Sequence, residues 1–226
     1  WMYESVDRYV VASEEAKQRF MHDGIPEDKV KIMGIPIDVR FSENKPKDPI
    51  KEKLSLALNK RVVLIMGGGG GLGPIKAIVS ILQKLSADIQ IVVATGTNTK
   101  LYKYLVKRAP RFKKRLIPLE YSDNIDELME ISDVVITKPG GITVSEALAK
   151  CLPILIINPI PGQEAKNTKF LIKSGAAVKA ENETELSALL ENLFSMPSKL
   201  KTMAGAAGKI SKPKSALDIA EMILNL

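Results

Sequence analysis

From Lys60 onward the apolar residues fall into short unbroken runs, separated by longer stretches in which they recur at helical spacing. Val62-Val63-Leu64-Ile65 and Ile154-Leu155-Ile156-Ile157 show no polar alternation, the pattern of strands buried on both faces. The runs predict strands over residues 61–66, 89–95, 115–118, 133–137, 153–157 and 176–179. Between them, apolar spacing and end signals predict helices over 74–85, 98–109, 124–131, 143–150 and 164–174, with three more closing the chain. Asn182 followed by Glu185 reads as a capping pair opening the first of these three. Such regular alternation predicts an α/β fold with a doubly wound parallel sheet, Rossmann-like, whose ligand lies beyond the carboxyl ends of the strands.

The text before Lys60 is different. Residues 6–12 predict a strand, Ser13 can cap the helix that follows with Glu14 and Glu15 in its positive first turn, and Gly24 is placed to end it. Residues 30–33 predict a short strand. From Gly34 the chain turns to Gly-Ile-Pro-Ile-Asp and then Lys45-Pro46-Lys47-Asp48-Pro49, a linker pattern, before a helix near 50–58. The expected division is therefore residues 1–33, a junction over 34–59, and a main domain over 60–226. The absence of an initiator Met suggests that the first segment is the end of something larger.

Composition narrows the picture. In 226 residues, 45% hydrophobic and 26% charged is a globular balance, and 5% aromatic implies an aliphatic core. Cys151 stands alone, so no internal disulfide can form, which fits a reducing, cytoplasmic address. No apolar run approaches the roughly 18 residues a membrane span needs; membrane contact, if any, is expected to be peripheral. The net charge of +7 gathers partly at Lys103, Lys107, Arg108, Arg111, Lys113 and Lys114. Such a patch either faces an anionic lipid surface or is a solvated helix face. Tyr102, Tyr104 and Phe112 beside it read as core residues rather than stacking platforms, and no nucleic acid is expected.

Three loops carry the candidate chemistry. Gly67-Gly68-Gly69-Gly70-Gly71-Leu72-Gly73 follows a strand and precedes a helix, so exposed backbone N–H groups and a helix start could cradle a phosphate; a tight turn is the plainer alternative. It is no P-loop, since Leu72-Gly73-Pro74 replaces the Gly-Lys-Ser/Thr ending. It is no dinucleotide fingerprint either, since Val93-Ala94-Thr95-Gly96 offers no acid for a ribose. The second loop, Thr137-Lys138-Pro139-Gly140-Gly141-Ile142-Thr143, again opens a helix and suits a diphosphate at Gly140, Gly141 and Thr143. Glu146, just inside that helix, would repel phosphate unless it accepts hydrogen bonds from sugar hydroxyls; the alternative is a carboxylate serving the helix dipole. The third loop, Asn158-Pro159-Ile160-Pro161-Gly162-Gln163-Glu164, leads into a helix carrying Asn167. Gln163, Glu164 and Asn167 could read the stereochemistry of a hexose, although ordinary capping could account for one of them.

Thr137-Lys138-Pro139-Gly140-Gly141-Ile142-Thr143-Val144-Ser145-Glu146-Ala147 with Pro161-Gly162-Gln163-Glu164, and the junction Gly34-Ile35-Pro36-Ile37, resemble the processive diacylglycerol glucosyltransferases and monogalactosyldiacylglycerol synthases, and more distantly MurG. The resemblance implies the C-terminal, donor-binding half of a GT-B glycosyltransferase, with residues 1–33 ending an N-terminal acceptor domain. It implies phosphate contacts at Gly67, Gly68, Gly69, Gly70, Gly71, Gly140, Gly141 and Thr143, ribose at Glu146, and uracil at the turn Glu120-Tyr121-Ser122, with Tyr121 flanking the ring. The transferred sugar of UDP-glucose or UDP-galactose would face Gln163, Glu164 and Asn167. Inversion at the anomeric carbon would need no metal cofactor, helix N-termini stabilising the departing UDP. The general base would lie in the N-terminal domain together with the site for a diacylglycerol-type lipid acceptor, and the whole enzyme would sit on the inner face of the cell membrane. The sole histidine, His22, matches no catalytic motif. A MurG-like N-acetylglucosaminyltransferase, a UDP-sugar epimerase and a non-catalytic UDP-sugar sensor remain the competing readings.

Overall fold

The computed structural model describes residues 3, 5–157 and 160–226. Its main sheet has six parallel strands in the order β5-β4-β3-β6-β7-β8. These are β3 (Arg61–Met66), β4 (Ile89–Ala94), β5 (Leu116–Leu119), β6 (Val134–Thr137), β7 (Ile154–Ile157) and β8 (Ala177–Ala180). The helices of this half are α3 (Ile75–Lys84), α4 (Thr99–Arg108), α5 (Ile125–Glu130), α6 (Gly141–Ala149), α7 (Gln163–Lys173), α8 (Glu183–Ser195), α9 (Pro197–Ile210) and α10 (Ser215–Leu224). Before them come β1 (Tyr9–Val11), α1 (Glu14–His22), β2 (Val30–Ile32) and α2 (Lys47–Lys53), with β1 and β2 paired in a separate parallel sheet.

The doubly wound expectation holds because the central strands have no exposed face. Val62, Val63, Leu64 and Ile65 are wholly buried, successive residues pointing into opposite layers. Val63 and Ile65 pack with Ile78, Leu82, Leu105 and Leu190; Val62 and Leu64 pack with Val135, Leu148, Ile156 and Leu171. Each such side chain contributes roughly 1.5–3 kcal/mol of burial. The strand start is fixed by Asp133, whose Oδ2 accepts from the Val62 amide at 2.8 Å while its own amide donates to Val62 O at 2.9 Å.

Helix ends follow local chemistry, with some departures from expectation. Ser13 Oγ accepts from Ala16 N at 3.3 Å as the cap of α1. Asn182 Oδ1 accepts from Glu185 N at 2.9 Å, whereas the Glu185 carboxylate reaches back to the amide of Glu181, one residue short of a reciprocal box. Helix α6 begins at Gly141 rather than Thr143, because Gly140 already takes the extended cap conformation and its carbonyl accepts from Val144 N at 2.9 Å. Helix α2 starts before its expected position, since Pro49 in the first turn lacks only an amide that needs no helical partner. It stops at Lys53, after which Ser55 adopts φ 53° and the chain turns so that Leu56 enters the core.

The 34–59 junction is packed down rather than slack. Ile37 and Phe41, the latter in a single 3-10 turn over Val39–Ser42, are buried with Ile50 and Leu56 against the sheet. Lys45 pairs with the buried carboxylate of Asp126 at 2.6 Å. Lys150, its side chain 2% exposed, pairs with Glu130 at 2.8 Å and also donates to the carbonyl of Glu43. At the far end of the chain, Ser215 Oγ donates to Ile35 O at 2.7 Å, so α10 returns to the same junction. Removing one member of a buried pair strands the other. Lys150→Met is therefore expected to destabilise the chain by about 3–5 kcal/mol in urea unfolding, and Lys150→Met with Glu130→Leu to recover much of that loss.

Candidate functional site

In a parallel sheet, loops leaving adjacent strands run to opposite faces only where the strand order reverses, and that divergence opens a crevice. Here the reversal lies between β3 and β6, which pair so that Met66 stands beside Thr137. The two glycine-rich loops predicted to bind phosphate are the segments that leave these two strand ends. Lys138, which follows β6, reaches between them, its Cε lying 3.9 Å from where a Cβ on Gly73 would stand.

The glycines divide into two kinds. A Cβ on Gly71 would lie 2.0 Å from Thr95 O, with φ at +56°, and one on Gly67 would lie 2.4 Å from Leu72 O. These two are demanded by the turn itself, which closes through Leu72 N to Gly67 O and Gly71 N to Gly68 O. It is anchored on the next loop by Thr97 N to Gly69 O and by Asn98 Nδ2 to Gly71 O. The plain tight-turn reading thus accounts for Gly67 and Gly71. Gly68, Gly69 and Gly70 are exposed, and among the described residues none of their amides has a backbone acceptor. Across the crevice, the amides of Gly141, Ile142 and Thr143 form the free first turn of α6, with open space at Gly140.

The three residues expected near a sugar lie at the start of α7, which Gly162 turns into the helix at φ 99°. Gln163 is exposed, its Nε2 4.0 Å from a Cβ position on Gly141, and so borders the α6 terminus. Glu164 is engaged locally, accepting from Ile160 N at 2.7 Å. Asn167 donates to Pro139 O at 2.9 Å and ties α7 to the second glycine loop. Local bonding therefore occupies two of the three, where sequence reasoning allowed for one. Asn158 and Pro159 of this loop lie outside the described residues. Gln163 and Asn167 also line a cleft of about 280 Å³ shared with Ser13, Ile35, Gly141 and Val144, between the first 33 residues and the main domain.

Glu146 projects from the second turn of α6 and is half-buried. Burial pushes its carboxyl up to about 7; the Arg40 guanidinium holds it down, and the Asp38 carboxylate adds to the rise. Arg40 also donates through Nη1 to Asp123 O at 2.6 Å, next to the turn that carries Tyr121, which is 68% exposed. Sequence reasoning missed Arg40 and Lys138. Arg40 reaches a partner 83 residues away, which no local pattern announces; Lys138 stood inside the quoted motif and gave no signal beyond its charge.

Elsewhere the basic stretch is partly spent on structure. Lys76 and Arg108 sit over the Tyr104 ring at 4.2 and 4.6 Å, Lys114 donates to Ala87 O, and Tyr104 and Phe112 pack on the core. His22 is exposed beside Asp23, far in sequence from the glycine loops. Among the described residues no group of three or more His, Cys, Asp and Glu could hold a metal ion, and no helix is long and apolar enough to cross a membrane.

Residues 62–222 match the Glycosyltransferase family 28 C-terminal domain. The chain belongs to that family. Residues 1–37 match the monogalactosyldiacylglycerol (MGDG) synthase family. The family 28 chain is 36% identical over 225 residues to the processive diacylglycerol beta-glucosyltransferase of Bacillus pumilus, covering 99% of itself and 58% of that protein. It therefore spans a little over half the length of such relatives. Among solved structures it resembles Anabaena Alr3699/HepE in complex with UDP-glucose, with TM-score 0.63 and 16% identity over 97% of this chain and 64% of the other. It also resembles the UDP-GlcNAc 2-epimerase of Neisseria meningitidis bound to UDP-GlcNAc, with TM-score 0.73 and 16% identity over 97% and 61%. At these identities the structural likeness establishes the GT-B fold alone.

The two kinds of glycine make opposite demands. Gly71→Ala is expected to cost more than about 1 kcal/mol of stability, because its conformation and the Thr95 carbonyl both exclude a methyl group. Gly69→Ala, with open space around it and no positive φ, is expected to stay within about 0.5 kcal/mol of the parent in the same unfolding experiment.

Proposed function

We propose that this chain is the UDP-sugar-binding half of an inverting glycosyltransferase that passes glucose or galactose from UDP to a diacylglycerol-type lipid. The observation that carries the proposal is the meeting of two glycine-lined turns at the β3/β6 reversal, with Lys138 between them and Glu146 one turn further into α6. Residues 60–226 would form the donor domain, 34–59 the junction, and 1–33 the end of the acceptor domain, in keeping with the two family matches.

In this reading the free amides of Gly68, Gly69 and Gly70 and of the α6 first turn donate to the pyrophosphate, Lys138 adds a full positive charge, and Glu146 accepts from the ribose hydroxyls. The same groups would stabilise UDP as it leaves with extra negative charge, standing in for a metal ion. Gln163 borders the place of the sugar, Glu164 shapes its loop, and Asn167 positions Pro139. Tyr121, exposed in the same turn as Asp123, would flank the uracil ring. The general base and the lipid site would come from an acceptor domain, and the basic α4 face would draw the whole enzyme to anionic lipid on the cytoplasmic side of the cell membrane.

UDP is expected to bind this chain more tightly than ADP or NAD in calorimetric titration; equal affinities would reject the reading. Glu146→Gln should weaken UDP-glucose by about 1–3 kcal/mol, since the ribose hydroxyls lose an anionic acceptor. The pH dependence has a definite sign. Free Glu146 titrates at about 7 and the bound form must be ionised, so binding releases a proton at lower pH. UDP-glucose affinity should thus fall by up to about tenfold per pH unit below that point and level off above it. UDP-glucose suits the test because its pyrophosphate is doubly esterified and does not titrate near neutrality.

A further inference from the structure

Arg40 has an unusual set of neighbours for a junction residue. Its Nη1 donates to Asp123 O at 2.6 Å, across 83 residues of sequence. Its Nε lies 3.3 Å from Asp38 Oδ2, yet this buried N–H has no aligned acceptor. Asp38 is itself held, because its Oδ1 accepts from the Arg40 amide at 3.0 Å and so starts the 3-10 turn that carries Arg40 against α6. One guanidinium thereby joins the junction to the 120–124 turn, and its charge also acts on Glu146 of the neighbouring helix.

The charged surroundings of Glu146 come from the same place. Arg40 and Asp38, both from the junction, are the charges that act on it. On its own helix, Lys150 is committed to Glu130 and the Glu43 carbonyl. In the 120–124 turn, Glu120 and Asp123 are exposed, and it is the Asp123 carbonyl that Arg40 takes. Helix α9, packed on the other side of α6, brings uncharged Ala207 and Gly208 there, the latter against Cys151.

We propose that Arg40 is a positioning residue of the donor site, stapling the junction to the 120–124 turn and keeping the Glu146 carboxylate in its accepting form for the ribose. The inference rests on the reading of Glu146 as the ribose ligand and deepens it. Arg40 makes the nucleoside end a composite: the turn beside the base and the carboxylate beneath the ribose are set by one side chain from neither. Withdrawing its charge should raise the pH at which Glu146 becomes an acceptor. Withdrawing its hydrogen bond should release the turn beside Tyr121 and blunt the choice of base.

The test is a pH series of UDP-glucose and ADP-glucose titrations on the 226-residue chain and on Arg40→Met, Arg40→Lys and Glu146→Gln, with unfolding midpoints recorded for each. In Arg40→Met the midpoint of the UDP-glucose profile should move up by about half a unit or more, and the preference over ADP-glucose should narrow. Arg40→Lys, which keeps the charge but not the planar fork, should hold the midpoint near the parent value while its base preference narrows. Glu146→Gln should bind weakly with a flat profile. If Glu146→Gln is flat but Arg40→Met leaves midpoint and preference where they were, Arg40 only packs and the proposal falls while the ribose reading stands. If Glu146→Gln keeps the parent's affinity and profile, the ribose reading itself fails, and the role of Arg40 with it.

Discussion

The constraint on which the rest depends is the reversal of strand order between β3 and β6. A parallel sheet can place two successive strand ends side by side while sending their chains to opposite layers only at such a point. The two glycine-rich loops of the candidate site are arranged around it. Helix α6 starts there with its first amides free, the Gly67–Gly73 turn folds over on the other side, and Lys138 lies between. The buried centre of β3, Val62 to Ile65, anchors the strand end from which the first glycine turn leaves, so an anion entering the crevice would meet donors already oriented.

A second consequence is the cost that the fold accepts at Glu146. Half-burying a carboxyl inside a helix raises it to about 7, against the preference of a carboxylate for water. The junction answers that cost only in part, because Arg40 lowers the carboxyl while Asp38 raises it again. The junction is therefore more than a connector: Lys45, Lys150 and Ile37 bind it to the domain, and Ser215 closes the chain end onto it.

Much of this architecture was legible in the sequence, for identifiable reasons. Strand β3 falls on its expected residues because an unbroken aliphatic run bounded by Arg61 and Gly67 has no other stable place. The Ser13 and Asn182 caps were readable because the bond spans three residues. Where the reading slipped, the deciding contact was distant or conformational. The start of α6 at Gly141 depends on the backbone of Gly140, and Leu56, buried in the core, draws the chain out of α2 before its expected end. In the site, glycine spacing pointed to the right loops but could not separate Gly71, excluded by Thr95 O, from Gly69, which faces open space. The bonds of Glu164 to Ile160 and Asn167 to Pro139 could not be told from ligand contacts, since the same amide and carboxylate chemistry serves both. Arg40 was silent because its meaning lies in a contact 83 residues away.

The most direct measurement is a crystal structure of the chain grown with UDP-glucose. The account predicts the pyrophosphate between the Gly68–Gly70 amides and the first turn of α6, with Lys138 alongside and the ribose hydroxyls on Glu146. An ordered nucleotide bound elsewhere, with the β3/β6 crevice vacant, would contradict it.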